Sequence, residues 1–176
     1  LHKGKATLWG NAAYRNGTKW GLLTGFVYAV VQMLLGFKTV SAFFMPSSDS
    51  YMVLWKAICV CLIDYIIAYT VLGFGGIFRN KIKNPSASLC VGSIVALSLR
   101  YLAHIISGYI FFGTWAEWFF SQDGFALGAK ILEKFSGQGL ALLYSVIYNG
   151  LYMIPEIIIT AIVALIIGRV PQISGR

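Results

Sequence analysis

Acidic residues are scarce in this chain: 6 Asp and Glu stand against 14 Lys and Arg, for a formal charge of +8. Such an excess can mark a nucleic-acid binder. Here the basic residues flank long apolar runs instead of forming a polar patch, so the charge concerns membrane topology and no nucleic acid is expected. Histidine is rarer still, with His2 and His104. No H-E-x-x-H occurs, which excludes hydrolase chemistry of that type. The absence of G-x-x-x-x-G-K-[ST] excludes ATP hydrolysis in the P-loop manner, and Gly73, Gly75 and Gly76 close an apolar run without making a dinucleotide fingerprint. Of the 3 cysteines, Cys59 and Cys61 are two apart and point to different sides of a helix. They form neither an easy disulfide nor a metal pincer, and with Cys90 they are expected to be packing thiols. Nucleophile and acid/base groups do not gather near an interface, as a membrane enzyme acting on lipid head groups would need. No catalytic activity, metal or cofactor is expected.

What is present is apolar. Hydrophobic residues make up 58% of the chain, aromatic residues 15% and charged residues only 11%, where a soluble domain has about a quarter charged. The expectation is an all-α integral membrane protein, a bundle of transmembrane helices forming one domain over residues 1–176. Four long spans are clear, at about 17–37, 52–78, 86–112 and 140–168. The first carries Gly17, Gly21, Gly25 and Ala29 at four-residue spacing, a stripe that lets helices approach closely or receives a partner protein. The segment before it is polar and basic, with at most a short helical piece at 8–14. A loop at 38–51 contains Pro46, Ser47 and Ser48, and the last span is interrupted, and kinked, at Pro155. Trp115, Trp118, Phe119 and Phe120 suit a membrane interface, and a short surface helix is expected at 126–135. Arg79, Lys81 and Lys83 stand in one short loop without an acid, while the loop at 113–139 is near neutral. By the positive-inside tendency the basic loop and the C-terminus, with Arg169 and Arg176, are cytoplasmic, and the loops at 38–51 and 113–139 face outside.

The third span contains a contradiction, R-Y-L-A-H-I-I-S-G-Y-I-F-F, an arginine and a histidine at membrane depth. Arg100, His104, Gly108 and Phe112 recur every four residues and so form one stripe: two polar groups, a gap and an aromatic wall. At about 1.5 Å per residue, His104 lies roughly 12 Å from Phe112. Counting inward from 52 and from 139 brings Asp64, Tyr144 and Asn149 to similar depth. Ionisable groups there usually face a cavity and carry function, which points to an outward-opening pocket. Asp64 can pair with Arg100, His104 or a cationic ligand; the plainer alternative is an Asp64–Arg100 salt bridge that only joins helices. Tyr65, Tyr144, Tyr148, Tyr152 and Phe112 suit a flat cation, and Asn149 an aminated heterocycle. Glu156, seven residues beyond Asn149, shares its helix face and can bond a neighbouring helix or relay a proton.

Three runs carry a resemblance: I-D-Y-I-I-A-Y-T-V-L-G-F-G-G-I-F-R from Ile63, R-Y-L-A-H-I-I-S-G-Y-I-F-F from Arg100 and Y-S-V-I-Y-N-G-L-Y-M-I-P-E from Tyr144. Together they resemble the thiamin-binding S-component of energy-coupling factor (ECF) transporters, the ThiT or YuaJ family, over most of the chain from Tyr14 onward. The resemblance implies a six-helix protein of the prokaryotic plasma membrane that captures thiamin from outside. It implies dependence on a transmembrane coupling subunit and two cytosolic ATPases. By motif position Asp64 matches the family's acidic ligand residue, with Tyr65 beside it; Arg100 takes the place of a basic residue, and His104 matches the pocket histidine. Gly108 matches a glycine that admits the ligand, Phe112 stands where a stacking tryptophan can occur, and Tyr144 and Asn149 match pocket residues of the last helix. The family's first helix has no counterpart, Gly4 to Leu8 resembles part of a lid, and Trp9 is a candidate lid contact. Two alternatives stay open: an S-component for another vitamin, and a self-sufficient proton-coupled carrier of a small cationic or aromatic solute, using Asp64 and Glu156.

Overall fold

A computed structural model describes residues 16–170; the helical piece expected at 8–14, Trp9 and Arg176 lie outside the described residues. Every regular element among these residues is helical. In chain order they are α1 (Thr18–Leu35), α2 (Phe37–Ala42), α3 (Leu54–Gly76), α4 (Pro85–Phe111), α5 (Ala116–Phe120), α6 (Gly128–Lys134) and α7 (Gly137–Ile167). Helices α1, α3, α4 and α7 are the 4 that are long and apolar enough to cross a membrane. They occupy the four expected spans, and α6 falls within the surface helix expected at 126–135. Large apolar residues such as Leu23, Ile58, Leu102, Ile106, Leu151 and Ile158 are exposed along them, as lipid-facing positions must be in a chain whose interior is the more polar side.

Local chemistry sets the helix ends. Asn84 caps α4, its Oδ1 accepting from the backbone N–H of Ser86 at 3.0 Å and of Ala87 at 3.2 Å, with Pro85 in the first turn where no donor is needed. Two expectations are corrected. The loop expected from 38 begins later, because the chain resumes a helical path after Gly36 as α2 and turns from Phe43 onward. Helix α7 is not interrupted at Pro155 and runs on to Ile167. One missing N–H costs it a single intrahelical bond, to the Leu151 carbonyl, within a long helix packed along α4.

Small residues bring the backbones together. Gly21, Gly25 and Ala29 of α1 are buried, and a Cβ on Gly25 would stand 2.9 Å from the Thr70 carbonyl oxygen of α3. The stripe is thus a helix-packing device against α3. A Cβ on Gly73 would meet the backbone of Gly21 and Leu22, and one on Gly92 of α4 would meet the Gly75 carbonyl. At the other end of the bundle α5 and α6 fold over the start of α7, where Ala116, Phe120, Leu140 and Tyr144 form one apolar cluster.

Gly92→Val is expected to lower stability by about 1–3 kcal/mol, since the Gly75 backbone cannot yield to a side chain. Gly139→Ala, in α7, is expected to leave stability unchanged or raise it by up to about 1 kcal/mol, the nearest neighbour of its Cβ being Phe135 at 4.0 Å. Thermal unfolding in detergent reads both.

Candidate binding site

Helix α3 is irregular where it carries the site. An α-helical start (Leu54–Val60) widens into a π-helix (Cys61–Ile67) that holds Asp64 and Tyr65, returns to α (Ala68–Thr70) and tightens into a 3₁₀ segment (Val71–Gly76). π-turns are rare and concentrate at functional positions. Helix α4 brings the second wall with one buried stripe at four-residue spacing, Ser88, Gly92, Ala96, Arg100, His104 and Gly108. Its first half is small and closes against α3. Its second half is polar and faces a cavity.

That cavity, of about 470 Å³, is lined by all the expected site residues: Asp64, Tyr65, Arg100, His104, Gly108, Phe112, Tyr144 and Asn149. Tyr69, Tyr148 and Tyr152 add aromatic faces, and Thr39, Phe43 and Ser50 reach in from α2 and the loop after it. Phe43 meets Phe112 edge-on with ring centres 6.2 Å apart, and Tyr144 lies beside Tyr148 at 5.5 Å. A Cβ on Gly108 would strike Ser145 Oγ and stand 3.1 Å from Asn149 Nδ2; glycine there lets the last helix approach α4. A second cavity of about 620 Å³ adjoins the first, sharing Tyr65, Tyr69, Arg100 and Tyr152, and contains Glu156.

The polar groups form one chain of directed hydrogen bonds across three spans. Ser107 Oγ donates to Asp64 Oδ2 at 2.6 Å, and His104 Nδ1 stands 2.7 Å from Asp64 Oδ1. On the other edge of the ring Arg100 Nε donates to His104 Nε2 at 3.4 Å. An arginine can only donate, so in this contact Nε2 accepts and Nδ1 turns its N–H to Asp64. Arg100 then pairs with Glu156, Nη1 to Oε1 at 2.9 Å, and lies over the Tyr69 ring at 4.6 Å. Asp64 therefore does not form a salt bridge with Arg100. It is held by Ser107 and His104, while the guanidinium is claimed by α7. The Asp64 carboxylate is thus left without an arginine or lysine partner.

Asn149 is more committed than expected. Its Nδ2 donates to the Ser145 carbonyl at 2.8 Å and the His104 carbonyl at 3.1 Å, and its Oδ1 accepts from Tyr152 Oη at 2.5 Å. What it retains for a ligand is acceptor capacity, and the same holds for Asp64. The cavity therefore asks its occupant for donors and positive charge. Ser107, Ser145 and Tyr69 were not legible as members of the site. A serine inside an apolar span gives no directional signal, whereas Tyr69 stands one helical turn beyond Tyr65 and could have been found by that spacing.

Residues 11–121 match the thiamine transporter protein family (Thia_YuaJ), which is more than half of the chain. The chain belongs to this family. It is also similar to the thiamine transporter ThiT of Bacillus subtilis (strain 168), at 29% identity over 160 residues, covering 86% of this chain and 66% of that relative. The chain thus spans just under two thirds of the relative's length. No solved structure matches it. The match to the Thia_YuaJ family takes in Asp64, Tyr65, Arg100, His104, Gly108 and Phe112, and the similarity to ThiT extends over most of the chain.

Ser107→Ala leaves one Asp64 oxygen without its donor and is expected to lower stability by about 1–3 kcal/mol. Ser93→Ala, at a buried hydroxyl with no hydrogen-bond partner among the described residues, is expected to change it by less than about 0.5 kcal/mol. Denaturation of the two variants side by side in detergent separates these outcomes.

Proposed function

We propose that the protein is the thiamin-binding subunit of an ECF-type uptake system, and that thiamin occupies the 470 Å³ cavity. The observation that carries this reading is a site with aromatic walls and acceptor groups, whose Asp64 is held by His104 and Ser107 while Arg100 pairs with Glu156, in a chain of the thiamine transporter protein family. Thiamin is a flat cation with an aminopyrimidine ring. Its charge balances the site, its rings suit the Tyr65, Phe112 and Tyr144 faces, and its amine supplies hydrogens to the oxygens of Asp64 and Asn149. Gly108 lets Ser145 and Asn149 of α7 close on α4, and His104 and Ser107 hold the carboxylate in place.

Orientation follows from charge. Arg79, Lys81 and Lys83 precede α4, and Arg169 follows α7, whose end at Gly168 packs against Ser86. These bases mark the cytoplasmic end of a bundle in the prokaryotic plasma membrane. The cavity lies toward the opposite end, so thiamin enters from outside. The chain acts as a binding subunit without catalytic activity. Transport then requires a separate coupling subunit and ATPases, and reconstituted alone the protein should accumulate no thiamin along a proton gradient.

Titration of thiamin into the purified protein, followed by calorimetry and tryptophan fluorescence, tests the reading. Saturable binding at submicromolar concentration is expected. Asp64→Asn is expected to weaken it by about 2–5 kcal/mol, the range for truncating a buried, hydrogen-bonded charge partner. Absence of binding in a folded sample would refute the assignment, and unchanged affinity in Asp64→Asn would return that carboxylate to a structural role. Thiamin uptake driven by a proton gradient in vesicles holding this chain alone would instead favour the self-sufficient carrier.

A further inference from the structure

Glu156 touches the site without lining it. Its carboxylate belongs to the larger cavity, whereas Asp64 and His104 belong to the smaller one, and Arg100 borders both. The 2.9 Å pair with Glu156 and the stacking on Tyr69 hold the guanidinium from α7 and α3 together. Both partners are largely buried, with side chains 11% and 17% exposed, so the pair is poorly screened and its charges matter to everything nearby.

We propose that Glu156 sets the charge selectivity of the site by neutralising Arg100, which leaves Asp64 as the charge the ligand must balance. The inference rests on the thiamin reading and deepens it. Asp64 is held by His104 and Ser107, and not by Arg100. Arg100 is close enough to bond the far edge of the same imidazole, so an unbalanced guanidinium would cancel the field of Asp64 across one ring. Glu156 prevents this by pairing with Arg100. It is a positioning and specificity residue: it acts through Arg100, and through the His104 tautomer that Arg100 fixes.

The arithmetic of charge gives a rank order. Taking Asp64, Glu156 and Arg100 together, the wild type stands at minus one, Glu156→Gln at zero, Arg100→Gln at minus two, and the double variant Arg100→Gln/Glu156→Gln at minus one. The measurement is the ratio of affinities for thiamin and for an uncharged analogue in which a thiophene ring replaces the thiazolium, by calorimetry on the purified chain. This ratio should be largest in Arg100→Gln, close to wild type in the double variant, and smallest in Glu156→Gln. Each unit of charge is expected to move it by about tenfold to hundredfold, as a charge several ångströms away does in a partly buried site. Equal losses of both ligands in Glu156→Gln, with the ratio unmoved, would make Glu156 a purely structural residue and overturn the inference while leaving thiamin binding intact. If Glu156→Gln does not fold, the ratio in Arg100→Gln decides: a rise supports the inference and an unchanged or lower value overturns it. A wild type that binds neither compound overturns the thiamin reading and this inference with it.

Discussion

Two carboxylates and one guanidinium are held among apolar helices, and the pairing they adopt governs the rest of the site. A charge in such surroundings is costly unless it is paired and hydrogen-bonded. Asp64 lies nearer the Arg100 stripe in sequence-derived depth, yet Arg100 is bound by Glu156 and Asp64 by His104 and Ser107. Had Asp64 taken the arginine, the site would contain a closed salt bridge and Glu156 would be left as a lone buried charge. With the observed pairing the unbalanced charge faces the cavity, where a ligand can reach it. The ion pair that joins α4 to α7 is also what leaves α3 with an acceptor to offer.

Helix α4 shows how one face serves two purposes. Its stripe begins with Ser88, Gly92 and Ala96 and continues with Arg100, His104 and Gly108, all buried. The small residues let α3 come within backbone contact, as at Gly75. The larger polar residues then hold the helices apart, and the opening is the cavity. Close backbone contact at one end of the stripe thus goes with a cavity at the other. The Ser145 and Asn149 contacts to the Ile105 and His104 carbonyls limit that divergence on the α7 side.

Much of this was legible in the sequence because membrane depth and helical period are both readable from one chain. The four spans follow from apolar length, and the convergence of Asp64, His104, Tyr144 and Asn149 follows from counting residues inward at a fixed rise. The polar pairing was not legible. Depth and face admit Asp64 with Arg100 as readily as Asp64 with His104, and the choice depends on side-chain reach within a few ångströms. Thr39, Phe43 and Ser50 were missed for a different reason: a loop can return over a pocket from any direction, and no periodicity reports it. The interruption expected at Pro155 does not occur, because the packing of a 31-residue helix outweighs proline's local penalty.

The winding of α3 explains how a single helix meets two incompatible demands. Its 3₁₀ end must present Gly73 to α1 and Gly75 to α4, contacts that admit no Cβ. Its middle must turn Asp64 toward His104 and Ser107, which lie on the upper part of α4. A uniform α-helix advances about 100° per residue, and the two sets would then be locked in one angular relation. A π-helix turns less per residue, and a 3₁₀ helix, with about 3.0 residues per turn, turns more. The seven-residue π segment therefore unwinds the helix and the six-residue 3₁₀ segment winds it back. The site residues are rotated relative to the start of the helix, while the glycines keep the direction that packing requires. A change of winding of this kind is held where neighbouring contacts fix it at both ends. Here the fixed ends are the glycine contacts with α1 and α4 on one side and the Asp64 hydrogen bonds on the other, so the Asp64 carboxylate is itself one of the points that hold the irregular helix in shape.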